Sequence, residues 1–96
     1  MYYVYILQCN DNSFYTGHTD DLDKRLAQHT QAYFNNCYTA KRLPVVLVYQ
    51  GEFDTRERAL IVERQVKGWS RKKKQALIND DWNEIARLSR AKNNFE

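Results

Sequence analysis

The hydrophobic positions of this 96-residue chain form strand-like runs near the N-terminus and helix-like spacings further along. Residues 2–7 are β-rich with little polar alternation, which predicts a strand that is covered on both faces and therefore central in its sheet. A turn cluster at residues 10–13 leads to a second strand, residues 14–16, which Gly17 ends, so the two strands should form a hairpin. Residues 45–49, directly after Pro44, are apolar throughout and predict a third strand.

Four helices are predicted from capping residues and from the spacing of apolar residues. The expected caps are Thr19 or Asp20 for a helix to about residue 30, Asp54 with Glu57 for a helix to about residue 69, Ser70 for residues 71–78, and Asp81 with Glu84 for residues 82–89. Residues 31–43 should be mostly loop. The predicted fold class is α+β, a small three-stranded sheet flanked by about four helices. At this length, residues 1–92 should form a single domain and residues 93–96 a frayed C-terminal tail.

The amino-acid composition limits the classes of protein to which this chain can belong. With 43% hydrophobic and 14% aromatic residues the chain can build one core, and disorder is not expected. Cys9 and Cys37 lack a CxxC partner and are expected to be reduced thiols of a cytoplasmic protein. No apolar run is long enough to cross a bilayer and no basic segment precedes the first strand, so neither a membrane span nor a signal peptide is expected.

The charges are unevenly distributed, although the net charge is only +3. Residues 64–74 contain no acid and carry six bases: Arg64, Lys67, Arg71, Lys72, Lys73 and Lys74. This asymmetry favours an electropositive face that meets a polyanion, while a solvated basic helix is an equally common explanation. Tyr38, Lys41 and Arg42 interleave an aromatic residue with bases, which suits contact with nucleic acid and suits an ordinary loop equally well.

Glu63 is the most informative charged residue. On the second predicted helix it falls inside the apolar arc formed by Ala59, Leu60, Val62, Val66 and Trp69. A carboxylate in such a position must be paired, protonated or bound to a cation, because an unpaired buried charge is very costly. An ion pair with Lys67, four residues on, is the favoured explanation from position alone. The alternative is a metal ligand, since magnesium often takes only one or two carboxylates and keeps its waters.

Two further groups of residues are candidates for chemistry. Arg25 and His29 lie four apart on the first predicted helix and point the same way, so they could grip a phosphate and move a proton. An exposed arginine with a surface histidine is the commoner case. Tyr5 and Tyr15 should lie on neighbouring strands, where a phenol acts as a general base only if a nearby cation stabilises the phenolate. Core tyrosines with hydrogen-bonded hydroxyls are the common alternative.

Taken together, these segments resemble the GIY-YIG nuclease superfamily, in its short stand-alone bacterial branch. The matching segments run from residue 2 to about residue 92: Tyr3-Val4-Tyr5, Tyr15-Thr16-Gly17, Thr19 to Arg25 with His29, Tyr38 to Pro44, Glu63, and Lys67 to Lys74. The chain departs from the name motif at Tyr3, Val4 and Thr16. It also has His18 where some relatives have lysine, which would change proton handling or phosphate contact.

The resemblance implies a three-stranded antiparallel sheet flanked by helices, and hydrolysis of DNA with one divalent metal ion, Mg²⁺ or Mn²⁺. By position, Glu63 would hold the metal and Arg25 would contact the scissile phosphate. Tyr15 would be the general base, with Tyr5 supporting it or sharing that role. His29 and Lys67 would be neighbours in the active site.

The same resemblance leads us to expect an endonuclease that acts on branched, nicked or damaged DNA, with a role in DNA repair. No separate DNA-binding domain fits in 96 residues, so affinity and specificity would either be low or be supplied by a homodimer or a protein partner. Two alternatives stay open at this point. One is a nucleic-acid-binding module that cuts poorly, and the other is a protein-interaction module with the same fold.

Overall fold

The computed structural model describes residues 1–30 and 38–93 of the chain. These residues form three strands, four α-helices and one short 3₁₀ helix. The strands are β1 (Tyr2–Gln8), β2 (Phe14–Thr19) and β3 (Val46–Phe53); the helices are α1 (Leu22–Thr30), α2 (Arg56–Lys67), α3 (Arg71–Ile78) and α4 (Trp82–Asn93); and the 3₁₀ helix is Tyr38–Lys41. The predicted α+β fold is therefore confirmed. Most of the predicted loop at 31–43, and the end of the predicted tail, lie outside the described residues.

The sheet is antiparallel with strand order β2-β1-β3, so β1 is the central strand, as its apolar run predicts. In the β1–β2 hairpin Tyr5 lies opposite Gly17 and Leu7 lies opposite Tyr15, whereas Val4 lies opposite His18. Because side chains alternate along a strand, these two sets of residues point to opposite faces of the sheet. The same alternation gives the hairpin two chemically different sides.

The hydrophobic core lies on the side of the sheet that α2, α3 and α4 cover. Its central cluster is formed by Ile6, Val66, Ala76, Leu77 and Ile85. The opposite side of β1 carries Tyr5, which reaches His29 of α1. Helices therefore flank the sheet on both sides, and β1 is buried from Val4 to Leu7.

Two strands extend beyond their predicted ends. β2 continues through Gly17 to Thr19 instead of stopping at Gly17, because the glycine is an interior position that packs against Tyr5. β3 begins at Val46 and continues through Gly51 to Phe53, where it still pairs with β1. The third strand was predicted, but its predicted end at Tyr49 is four residues short, since backbone pairing with the central strand extends into polar sequence.

The residue that caps the N-terminus differs from the predicted one in two of the four helices, α1 and α2. Asp21 caps α1, because its carboxylate accepts from the backbone N–H of Lys24 while the hydroxyl of Thr19 is used by the N–H of Asp21. Thr55 caps α2 in place of the predicted Asp54, since its hydroxyl accepts from the backbone N–H of residue 58.

The two later helices keep their predicted caps. Ser70 caps α3, with its hydroxyl accepting from the backbone N–H of Lys73. Asp81 caps α4 by accepting from the backbone N–H of Glu84, and α4 runs to Asn93, beyond the predicted end at Ser89. Among the described residues, no helix has both the length and the apolar content needed to span a membrane.

Candidate active site

A close contact between β1 and β2 forms one side of the candidate site. Gly17 lies directly opposite Tyr5, and a Cβ atom at residue 17 would lie 2.5 Å from the Tyr5 hydroxyl oxygen and 3.2 Å from a ring carbon of Tyr15. Such distances are shorter than atoms tolerate, so only glycine leaves room for the tyrosine here. The ring centroids of Tyr5 and Tyr15 are 6.3 Å apart. Because Gly17 has no side chain, the phenol rings of Tyr5 and Tyr15 can both lie beside it.

A buried hydrogen-bonded chain continues from Tyr5 into α1. The Tyr5 hydroxyl lies 3.0 Å from Nε2 of His29, and Nδ1 of His29 lies 2.8 Å from the hydroxyl of Thr39 on the 3₁₀ helix. All three residues are almost fully buried. The ring of Tyr15, which is half-buried, meets His29 edge-on with centroids 5.2 Å apart. The expectation of a surface histidine at residue 29 was wrong.

His29 is a neutral histidine at pH 7. Burial lowers the pKa of its imidazole, and the positive charge of Arg25 lowers that pKa further. In the neutral ring one nitrogen donates and the other accepts, so the chain has two arrangements. Either the Tyr5 hydroxyl donates to Nε2 while Nδ1–H donates to Thr39, or both bonds run the opposite way. In both arrangements His29 links the hydroxyl of Tyr5 to the hydroxyl of Thr39.

Glu63 lies on the opposite side of the hairpin, on α2. It is buried with 8% of its surface exposed, as its place in the apolar arc predicts. Nδ1–H of His18 donates to Oε2 of Glu63 at 3.0 Å, and Nζ of Lys67 lies 3.4 Å from Oε1. The ion pair with Lys67 is thus present, together with a histidine contact that the spacing of residues did not predict. Each oxygen of the Glu63 carboxylate therefore contacts a basic side chain.

The chemistry of the donors at Glu63 determines which metal ion this side of the hairpin suits. In the described part of the chain, no group of three or more His, Cys, Asp or Glu side chains could hold a metal ion together. A cation held at Glu63 would have fewer than three ligands of these types from the described residues, which suits a hard cation that keeps most of its waters, such as Mg²⁺ or Mn²⁺. The Lys67 side chain is about half exposed, so its ion pair is a weak competitor.

A polar cleft of about 250 Å³ opens where β2 ends. It is lined by Tyr2, His18, Thr19, Asp20, Arg25 and Arg56. Two guanidinium groups, from the start of α2 and the middle of α1, thus line one small cleft with a single carboxylate, Asp20. That charge balance suits an anion, and guanidinium groups are the side chains best shaped to bind phosphate. His18 reaches this cleft and also contacts Glu63.

The predicted catalytic residues are therefore distributed around one edge of the sheet. Tyr5, Tyr15 and His29 lie on one side of β2, while Glu63 lies on the other. Arg25 connects the two sides, since its charge acts on His29 and its side chain lines the cleft with His18. β2 is an edge strand, so side chains from both sides of the sheet are accessible beside it.

The predicted nucleic-acid-binding bases differ in what they contact. Arg71 donates a hydrogen bond of 2.6 Å to the backbone carbonyl of Asn12 and lies over the ring of Phe14. It therefore links α3 to the β1–β2 hairpin. Arg42 forms a 3.0 Å ion pair with Asp11. These two arginines therefore have structural contacts that the sequence pattern did not indicate.

The lysines among these bases are more available. Lys41 and Lys72 are exposed, and Lys73 lies over the ring of Trp69. Lys74 is partly buried, and burial lowers the pKa of its ammonium group. The side chain of Tyr38, also predicted to bind nucleic acid, lies outside the described part of the structure.

Three residues of this region escaped the sequence reasoning. Arg56 was one of several bases near a helix start, and nothing in its spacing links it to Arg25. Thr39 was noticed only as part of a longer matching segment. Gly17 was assigned to the end of a strand, although glycine beside a tyrosine-rich strand is a usable signal of close approach.

Comparison with known proteins agrees with this geometry. The model of the GIY-YIG catalytic domain matches residues 1–76, which is most of the chain. The chain belongs to the GIY-YIG family. The domain is of the nuclease type and implies a nucleic-acid substrate, and GIY-YIG nucleases generally use a divalent metal ion. Helix α4 lies outside the matched residues.

Relatives of similar length carry the same domain. The chain is 44% identical over 79 residues to a UPF0213 protein of Staphylococcus saprophyticus, covering 82% of this chain and 95% of that protein. It is 42% identical to a UPF0213 protein of Bacillus halodurans solved in solution, with a TM-score of 0.54 and coverage of 82% and 84%. A solution structure of an E. faecalis protein is 36% identical with a TM-score of 0.59, covering 82% of this chain and 83% of that one.

Proposed function

We propose that this GIY-YIG protein is a metal-dependent endonuclease that hydrolyses phosphodiester bonds in DNA. The observation that carries the proposal is the cleft at the end of β2. Arg25, Arg56 and His18 line it, and His18 also contacts the buried carboxylate of Glu63. A phosphate between two arginines and next to a metal-binding carboxylate is the arrangement that phosphodiester hydrolysis needs.

Arg25 and Arg56 have the first task, which is to hold the phosphate. They extend from different helices, so they can grip non-equivalent oxygens of one phosphate and fix its orientation. Their positive charges also oppose the negative charge that builds on the phosphate during hydrolysis. His18 is fixed through Nδ1 by Glu63, which orients its ring toward a bound anion.

Glu63 is the residue proposed to hold Mg²⁺ or Mn²⁺. When bound there, the metal supplies a Lewis acid that polarises the phosphate oxygen. The buried carboxylate contacts two basic groups, His18 and Lys67, which offset the cost of its burial. Lys67 is the partner that can leave, because its side chain extends into solvent.

Exposure supports Tyr15 over Tyr5 as the general base. Tyr5 is fully buried and its hydroxyl is bonded to His29, so it has no room for an attacking water. Tyr15 is half-buried and touches His29 with its ring, and it belongs to the edge strand β2, which ends at the cleft. A phenol can accept a proton only as the phenolate, which a nearby cation must stabilise. In this proposal the Tyr15 phenolate accepts the proton of the water, and the Tyr5–His29–Thr39 chain keeps the neighbouring rings fixed.

The exposed lysines of the 3₁₀ helix and α3 are proposed to contact the DNA backbone. Lys41 and Lys72 are exposed, and α3 contains four consecutive bases with no acid. Backbone contacts of this kind give affinity without reading sequence. They agree with a small nuclease that recognises the shape of DNA, such as a branch or a nick.

A cleavage assay tests the proposal. Supercoiled, linear and branched DNA are incubated with the protein in Mg²⁺, in Mn²⁺ and in EDTA, and products are separated on denaturing gels. We expect metal-dependent cleavage that Glu63→Ala reduces at least about 100-fold, because metal stabilisation is worth several kcal/mol. Glu57→Ala, an exposed carboxylate on the same helix, is the matched control and should cut normally. Equal cleavage by Glu63→Ala and the wild type would refute the site.

A second assay tests Arg56 separately from the chemistry. Binding of DNA is measured in EDTA, where no cleavage occurs, for Arg56→Ala and for Arg58→Ala. Arg58 is two residues along the same helix and pairs with Asp54 at the surface, so it serves as a matched control. We expect Arg56→Ala to weaken binding about 5- to 100-fold, the usual worth of a charged hydrogen bond. Equal affinity of both variants would remove Arg56 from the phosphate site.

The salt dependence of binding separates a nucleic-acid protein from a protein-interaction module. Affinity for DNA should fall steeply with salt, because neutralised phosphates release counterions. If no DNA or RNA is bound even at low salt, the protein-interaction alternative replaces the nuclease. If DNA is bound but no substrate is cut with either metal, a binding module replaces it.

A further inference from the structure

An apolar groove lies beside the basic helix α3 and outside the cleft described above. It has a volume of about 400 Å³ and is lined by Gly68, Trp69, Ser70, Lys73 and Leu88. Gly68 ends α2 and has no side chain to fill the space. Trp69 is half-buried against the hydrophobic core, and Leu88 comes from α4. The groove is thus formed where three helices meet, and one of its walls lies outside residues 1–76.

We infer that this groove binds an unpaired nucleobase of the nucleic-acid strand whose backbone lies on α3. The inference rests on the proposed function, since it assigns a second contact to the same substrate. An indole in an apolar groove offers the surface on which bases stack, and this stacking tolerates any base. A base that enters the groove must leave its duplex, so the groove favours single-stranded or frayed DNA.

Charge is the reason to choose a nucleobase over an apolar peptide or a second copy of this chain. Lys73 lines the groove and belongs to a run of four bases, residues 71–74, in a helix that contains no acidic residue. An apolar partner would have to bury this positive charge without compensation. A nucleotide brings both parts that the surface requires, a flat ring for Trp69 and a phosphate for the lysines.

Lys73 is the residue of the groove that would move when a nucleotide binds. Its ammonium nitrogen lies 4.5 Å from the centre of the Trp69 ring and so covers the indole in the free protein. Cation–π contacts at exposed sites are weak, whereas the same ammonium gains a charged partner when a phosphate approaches. The ammonium group of Lys73 can therefore leave the indole and bind a phosphate. The base then stacks on the indole in place of the ammonium group.

The position of the groove relative to Glu63 fits one strand. Glu63 and Gly68 are five residues apart on α2, which is about 7.5 Å along the helix axis at 1.5 Å per residue. The two residues are therefore less than about two helical turns apart, so one strand can reach both. Lys67, between them in sequence, contacts Glu63 and directly precedes the groove. The unpaired base would therefore lie close to the bond that is cut.

The test compares binding of intact and abasic oligonucleotides in EDTA, so that cleavage plays no part. Fluorescence anisotropy at low salt gives the affinity of a short single-stranded DNA and of the same backbone without bases. We expect the wild type to prefer the intact strand roughly 5- to 100-fold, the usual worth of a stacked base. Trp69→Leu should lose this preference, while Trp82→Leu, an exposed tryptophan outside the groove, should keep it.

A second pair of variants avoids any loss of core packing at Trp69. Leu88→Glu puts a carboxylate into the groove, and Ala86→Glu puts the same charge on an exposed position of α4. Leu88→Glu should abolish the preference for the intact strand, and Ala86→Glu should preserve it. A wild type that binds intact and abasic strands equally, or a Leu88→Glu variant that keeps the preference, overturns the inference. Base preference without any metal-dependent cleavage would instead overturn the proposed nuclease function alone.

Discussion

The two sides of the β1–β2 hairpin use different kinds of interaction. On the side of α1, neutral groups are joined by fixed hydrogen bonds through Tyr5, His29 and Thr39, and all three are buried. On the side of α2, the charged group Glu63 is held between His18 and Lys67, one of which is half exposed. The neutral side is therefore rigid, and the charged side can exchange a partner for a ligand.

The difference has a simple physical origin. A neutral hydrogen-bonded chain has little to gain from solvent and loses much if one member is left unpaired. A carboxylate with a surface lysine loses little when the lysine leaves, since such pairs are weak in water. A site that must hold its geometry and also accept a metal ion and a phosphate benefits from both kinds of side.

The largest expected effect separates the two tyrosines. Tyr15→Phe should lower the cleavage rate about 10²- to 10⁴-fold with little loss of stability, because it removes the proposed general base. Tyr5→Phe should lower it far less but reduce the free energy of unfolding by about 1–3 kcal/mol, because the buried His29 loses a partner. Single-turnover cleavage and urea denaturation measure the two quantities. A larger rate loss in Tyr5→Phe would exchange the two roles.

A smaller effect is expected when a methyl group is added at Gly17 of β2, which packs against Tyr5 of β1. Gly17→Ala places a Cβ atom 2.5 Å from the hydroxyl of Tyr5, which is held by His29 and cannot move away. We expect a loss of about 1–3 kcal/mol in the free energy of unfolding, as for other overpacked cores. Gly68→Ala is the control, since its nearest neighbour is a carbonyl oxygen at 3.5 Å. Equal stability of both variants would mean that the Tyr5 ring is not fixed.

The neutral side should also give the protein a pH dependence. The pKa of His29 is lower in the folded than in the unfolded chain, so below about pH 6.5 the unfolded state binds more protons. Stability should therefore fall as the pH decreases from about 7 toward the folded pKa. His29→Gln should flatten this part of the profile when unfolding is followed by urea titration between pH 7 and 5. An unchanged profile in the variant would contradict a neutral, buried His29.

The smallest effect concerns the charged side. Lys67→Ala releases Oε1 of Glu63, so the affinity for Mn²⁺ should rise by about two- to fivefold, in keeping with a weak surface pair. Isothermal titration of Mn²⁺ in the absence of DNA measures it. Arg64→Ala removes an equal charge from the exposed face of the same helix and should change the affinity less. Weaker binding in Lys67→Ala would mean that the lysine does not compete with the metal ion.

Local patterns were sufficient to predict most of the fold. The apolar run of β1 predicted a central strand, and the position of Glu63 in the apolar arc of α2 predicted a buried and paired carboxylate. The caps of α1 and α2 were displaced by one residue, because several neighbouring side chains can serve and local hydrogen bonds choose among them.

The cleft and the buried chain were less accessible to prediction. Arg56 and Arg25 are far apart in sequence, and only the packing of two helices at the end of β2 brings both to one cleft. Thr39 reaches His29 through a 3₁₀ helix in a segment predicted to be loop. Such contacts depend on tertiary geometry, which neither periodicity nor composition encodes directly.

The close packing of Gly17 and Tyr5 has a consequence for how this domain can vary. One small volume is occupied by the tyrosine hydroxyl and is therefore denied to any side chain at residue 17. The two positions are energetically coupled, so substitutions at them will not add. Tyr5→Phe removes only the nearest of these contacts, because the ring carbon that carried the hydroxyl would still lie 2.7 Å from a Cβ atom at residue 17. Engineering of this hairpin must therefore treat the pair as one unit.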